Sequence, residues 1–341
     1  MPNHVLAYVT SDSVEITATG HRQEIGNVLE MTPDTNFDLG SITKILCTTS
    51  ILMKYVETNE VKLLDPVSRY LPNWNSSEKS TITIKDLLEH QSGLNEWRPL
   101  YISANSPEQI HQLIAVDPLK YAHNSGRHYS DLGFITLGLL IEKVSQASLE
   151  KVFSEIIAKP LALTATQFRK PLDSTNVAAT SIGDVIEKRM VETGSPYPVT
   201  ELTTSFNKWR TNILVGEVND GNSFHGFHGV AGHAGLFSHA SDLATYLQEL
   251  ILSLRSEGYF SEQVLNQFLT LSPDPMQALG FRTWVIGGQT YFGHTGFPGV
   301  AVAFTKEGTG FVYLSNRIHT EGEFPTTDSL WIPLLERENH P

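Results

Sequence analysis

The segment FDLGSITKILCTTSILMKYVE, Phe37 to Glu57, places a serine, Ser41, and three residues later a lysine, Lys44, in largely apolar text. Ile42, Ile45, Leu46, Leu52, Met53 and Val56 recur at helical spacing, so a helix starting near Ser41 has one buried face. An ammonium group there is costly unless it is used. Side chains three apart share a helix face. Helix N-terminal amides and a partly desolvated setting favour a neutral Lys44 amine, which can accept the Ser41 proton. That is the arrangement of an activated serine nucleophile. The spacing recurs at Ser76/Lys79, Ser148/Lys151 and Ser205/Lys208. The first and last of these lie in polar, loop-like text, and the middle one reads as a solvated helix start. Only Ser41 opens a buried helix.

Upstream, HVLAYVT (4–10) and SVEITATG (13–20) alternate and read as a β-hairpin. Downstream, 58–240 is helical and loop-rich. TIKDLLEHQSGL (83–94) and SDLGFITLGLLIEKVSQ (130–146) are helix patterns, the second apolar nearly all round and capped by Ser130 or Asp131. SDLATYLQELILSL (241–254) is a further helix, with Ser241 as the expected cap. From 279 the period returns to two: LGFRTWVIGG, QTYFGHTG, GVAVAFTKEG and TGFVYLSNR form an antiparallel meander, closed by a helix over SLWIPLLEREN. The fold class expected is α+β, with an antiparallel sheet built from both termini, flanking helices and an inserted, mostly helical region. The expected division is 1–57 plus 235–341 as the sheet domain and 58–234 as the helical domain, with the active site at their interface.

Two more short motifs bear on chemistry. Tyr129-Ser130-Asp131 sits just before the apolar helix, where a tyrosine hydroxyl can shuttle a proton to a leaving group; alone, such a residue is more often a packed tyrosine with a satisfied hydroxyl. Gly293-His294-Thr295-Gly296 lies on a strand of the final meander, where glycines admit a substrate backbone. An amide there can complete an oxyanion hole with that of Ser41.

In order and context these motifs resemble the serine β-lactamase and penicillin-binding-protein superfamily. More narrowly, the chain is similar to the class C β-lactamase-related serine hydrolases, which include esterases, D-aminopeptidases and low-molecular-weight penicillin-binding proteins. Matching stretches, in order, are DLGSITKIL, VKLLDPVSRYLPNW, ITIKDLLEHQSGL, GRHYSDLGFITLGLLIEKVSQ, GVAGHAGLFSHASDLATYLQ and GHTGFPGVAV. The resemblance implies a β-lactamase/transpeptidase-like fold and a metal-free serine hydrolase without cofactor. It makes Ser41 the acyl-accepting nucleophile, Lys44 its base partner and Tyr129 the proton relay. His294, Thr295 and Gly296 line the substrate site beside Asp131, and the amides of Ser41 and Phe297 form the oxyanion hole. The substrate is then a small ester, amide or peptide. Acyl transfer, weak β-lactamase or D,D-peptidase action, and an idle binding module are the alternatives.

The family's β-lactamases carry Tyr-x-Asn and Lys-Thr-Gly, where this chain has Asp131 and His294. An aspartate favours a protonated Lys44, or holds it in place. Histidine supplies positive charge only when protonated, so the third motif lacks a permanent cation for a substrate carboxylate. Activated esters are therefore expected to outpace penicillins, with His294 a cation only at low pH.

The chain has 341 residues, 40% apolar and 18% charged, enough for a substantial core. Its formal net charge of −13 disfavours nucleic acid and anionic membrane surfaces as partners. The single cysteine, Cys47, excludes an intrachain disulfide. His225, His228 and His233 form a histidine cluster without a carboxylate or thiol in register, so no metal site is expected. No signal-like segment or membrane span is read, which gives a cytoplasmic expectation. The oligomeric state is left open.

Overall fold

The computed structural model describes residues 3–75, 78–168 and 175–338. Ser76 of the first alternative Ser-x-x-Lys pair and Asn339 of the closing helix lie outside the described residues. The hairpin forms as β1 (His4–Thr10) and β2 (Val14–Thr19). The meander forms as β3 (Arg282–Ile286), β4 (Gln289–Gly296), β5 (Val300–Thr305) and β6 (Thr309–Ser315). Together they make a six-stranded sheet in the order β3-β4-β5-β6-β1-β2, with every neighbouring pair antiparallel. The two chain ends meet where β1 pairs with β6, Val5 opposite Leu314 and Ala7 opposite Val312.

Both faces of this sheet are covered, and the period of two shows how. Val5, Ala7 and Val9 point into the main core, under the helix Ala240–Ser253. Leu6 points to the other face, where Trp284, Tyr291 and Phe311 pack with Trp331 of the closing helix Thr327–Glu338. Each large apolar side chain so buried contributes about 1.5–3 kcal/mol. The helix Ala240–Ser253 departs from expectation at its start. His239, not Ser241, caps it, by accepting the Asp242 amide through Nδ1 at 3.2 Å.

Between the sheet's two sequence contributions lie the inserted helices. Asp131–Ser145 is buried over most of its surface, as its all-round apolar text requires, and Ser130 Oγ caps it on the Gly133 amide at 3.3 Å. The helix Ile84–Leu88 is short and closed by a Thr83/Asp86 capping box. No single helix among the described residues is long and apolar enough to cross a membrane.

The Ser41 segment corrects the expectation of one regular helix. A tight turn at Gly40–Ile42 leads into a wide, π-type stretch, Lys44–Thr49, and only Ser50–Glu57 is α-helical. The widened turn shifts backbone carbonyls out of register. That of Ile45 is met by two buried hydroxyls, Ser50 Oγ at 2.8 Å and Tyr246 Oη at 3.2 Å.

Candidate active site

The cleft beside Ser41 has a volume of about 890 Å³. Ser41, Tyr129, Asp131, His294, Thr295, Gly296 and Phe297, far apart in sequence, all line it. Lys44 lies beneath, fully buried.

Local backbone sets the position of Ser41. Gly40 has φ of +46°, and a Cβ on it would stand 2.7 Å from Pro298 Cδ and 3.2 Å from the Phe297 amide nitrogen. The turn carrying Ser41 and the end of β4 therefore touch through a glycine, which brings the Phe297 amide to the serine. Asp38 fixes the same turn by accepting the Gly40 amide at 2.9 Å and the Asn219 amide at 2.7 Å.

Lys44 Nζ donates to Ser41 Oγ at 2.7 Å and to Asp131 Oδ1 at 2.6 Å, with the His233 carbonyl at 3.4 Å. The Tyr129 ring lies 5.0 Å from the same nitrogen. Burial pulls the Lys44 pKa down, but the Asp131 carboxylate and Tyr129 together more than offset this, and the net shift is upward. The expectation of a neutral amine is thus corrected: the ion pair holds an ammonium at rest. Burial raises the Tyr129 pKa, while Lys44 and its hydrogen bonds to Lys44 and Ser41 oppose the rise, so the phenol is the resting form.

His294 is 1% exposed, and its Nδ1 lies 2.7 Å from the Thr295 carbonyl oxygen. A carbonyl only accepts, so the proton sits on Nδ1. Burial, then the charges of Lys44 and Arg282, push the His294 pKa well below the ordinary histidine value. It is a neutral ring, not a conditional cation. A permanently charged side chain of the same cleft is Arg282 on β3, which lies opposite Gly293. Its Nη1 donates to Thr295 Oγ1 at 2.7 Å, and its Nη2 pairs with Asp328 at 3.1 Å. Arg127 lines the same cleft, tied through Nε to Gln277 at 3.0 Å.

Sequence reasoning missed Arg127, Arg282 and Asp38. Arg127, two residues before Tyr129, was within reach of it; the other two depend on strand pairing and on the 219 loop. A carboxyl group at the far wall was missed as well. Glu187 is held by the Gly221 amide at 2.7 Å and Tyr101 Oη at 2.8 Å, and burial raises its pKa to about 8. The histidine cluster resolves into separate pairs, His225 with Asp184 at 3.1 Å and His233 with Asp220 at 2.9 Å. Cys47 is buried.

The Beta-lactamase family model matches residues 3–332. The chain is 32% identical to an N-acetylmuramyl-L-alanine amidase of Bacillus subtilis (strain 168), over 85% of this chain and 70% of that one. Among solved structures it is similar to a class C beta lactamase from Rhodobacter sphaeroides (TM-score 0.72, 18% identity, 99% of this chain and 95% of the other). It is also similar to a D-alanine carboxypeptidase from Burkholderia cenocepacia (TM-score 0.70, 17% identity, 99% and 94%). These two likenesses concern the fold.

Proposed function

The chain belongs to the Beta-lactamase family of serine acyl-enzyme hydrolases, and from that premise we propose that it cleaves an amide or short peptide that carries a carboxylate, through an acyl-enzyme on Ser41. The observation that carries the substrate class is the Arg282–Thr295 bond at 2.7 Å, with Arg127 lining the same cleft. Asp328 pairs with Arg282 at 3.1 Å, whereas Arg127 makes no ion pair among the described residues and leaves positive charge for a substrate anion. The name of the amidase relative supports an amide as the bond cleaved.

The proton path follows from the distances. Lys44 and Asp131, 2.6 Å apart, act as one proton-holding unit. When substrate displaces water from the cleft, the ion pair loses solvation and the proton moves from Nζ to Asp131 Oδ1. The freed amine takes the Ser41 proton as Oγ attacks the carbonyl carbon. The amides of Ser41 and Phe297 stabilise the oxyanion. Tyr129 gives its hydroxyl proton to the leaving nitrogen and is refilled from Lys44. Water then attacks the acyl carbon, loses its proton to the same relay, and releases Ser41.

The test compares kcat/KM for a short peptide with a free C-terminal carboxylate against the same peptide as its C-terminal amide. In the wild type the acid is expected to be preferred by about tenfold or more, and Arg282→Gln to abolish the preference, the range for a charge-assisted contact. Equal rates for acid and amide in the wild type contradict the proposal.

A further inference from the structure

The loop 90–96, which follows the short helix Ile84–Leu88, has no role in the chemistry above, yet it holds the Tyr129 turn throughout. The His128 amide donates to the His90 carbonyl at 2.8 Å, and the Asp131 amide to the Glu96 carbonyl at 2.9 Å. The Ser130 hydroxyl donates to the Asn95 carbonyl at 2.6 Å, and the Ser130 amide to His90 Nδ1 at 3.0 Å. Three of these acceptors are main-chain carbonyls, which any residue supplies. The fourth is a side chain, that of His90.

His90 is an unusual occupant of its position. It is 1% exposed and has φ of +57°, a left-handed backbone that few side chains adopt. Its ring lies 4.6 Å from the Tyr129 ring and 5.3 Å from that of Phe134. An amide N–H only donates, so Nδ1 is bare and the proton sits on Nε2. Nε2 is buried and has no hydrogen-bond partner among the described residues. A left-handed backbone and an orphaned N–H both work against stability. Both stand directly against the Tyr129 ring.

We infer that His90 is a positioning residue for acyl transfer: by accepting the Ser130 amide through Nδ1, it holds the turn that aims the Tyr129 hydroxyl at Ser41 and Lys44. The inference rests on the relay role given to Tyr129 above. It requires a neutral ring, because an imidazolium has no lone pair for the Ser130 amide. The surroundings supply that: burial first, then the positive charges of Arg127 and Lys44, hold the His90 pKa well below the ordinary value.

Variants at His90 and Tyr129 test it, with an activated ester or amide that the wild type turns over. His90→Asn places an acceptor oxygen where Nδ1 stands, and asparagine tolerates left-handed backbone. His90→Phe keeps a ring and removes the acceptor. Turnover by His90→Asn is expected within about threefold of wild type, and kcat of His90→Phe about tenfold or more lower with KM little changed. In a Tyr129→Phe background, His90→Phe is expected to cost no more than about a further twofold, because the group it positions is gone. Wild-type kcat in folded His90→Phe, or losses that multiply in the double variant, overturn the inference. If His90→Phe does not fold, His90→Gln, whose acceptor is displaced by one carbon, stands in for it under the same criteria. Wild-type turnover in Tyr129→Phe alone removes the relay reading, and the role of His90 with it.

Discussion

At Lys44 burial and charge are in direct opposition. A fully buried lysine ordinarily loses its proton, and here a carboxylate at 2.6 Å keeps it charged. In the mechanism proposed above, Lys44 acts together with Asp131, and the base appears only when substrate changes the pair's surroundings. Removal of either end of the proton relay should therefore be severe. Lys44→Ala and Tyr129→Phe are each expected to lower kcat by about a hundredfold or more, the scale of lost general acid–base help. Steady-state kinetics on variants with wild-type thermal unfolding check this, and near-native turnover in either one would remove that residue from the mechanism.

At the scale of elements, the Ser41 turn depends on a close approach between two segments. Gly40 combines a left-handed backbone with contacts to Pro298 and the Phe297 amide that leave no room for a methyl group. Gly40→Ala is expected to destabilise the fold by about 1–3 kcal/mol and to lower kcat/KM by separating the two oxyanion amides. Chemical denaturation and kinetics on the same sample measure both, and a neutral Gly40→Ala contradicts the geometry. Elements with long, regular periods were legible in the sequence: β1 and β2, the meander from Arg282 to Ser315, and the helix Asp131–Ser145. The π-type stretch at Lys44–Thr49 was not, because over six residues an apolar run fits the wide and the ordinary turn equally well. Its signature is tertiary, in the hydroxyls of Ser50 and Tyr246 on one carbonyl. Of the site, Ser41, Lys44 and Tyr129 could be read from motifs. Arg282 and Asp38 act through strand pairing and loop contact, which no local pattern encodes. The burial of His294 likewise cannot be read from its neighbours in sequence.

At the scale of the whole molecule, Asp38 ties the Ser41 turn to the inserted region through the Asn219 amide. Burial raises its pKa from 3.8 to about 6, against the pull of its two amide donors. The folded pKa exceeds the unfolded one, so this group's stabilising contribution is complete below pH 3.8 and shrinks as pH rises to about 6. At pH 7 the buried charge then costs about 3 kcal/mol relative to its protonated form. The Tm of the wild type relative to Asp38→Asn should accordingly shift in favour of the wild type as pH falls from 7 to 4. A difference that stays flat over that range contradicts the raised pKa. The central claim, an acyl-enzyme on Ser41 and on no other serine, is reached most directly by a fluorophosphonate probe read by intact mass and peptide mapping. The account predicts one adduct, located on Ser41 and absent in Ser41→Ala; an adduct on Ser148 or Ser205, or no adduct on an active sample, would contradict it.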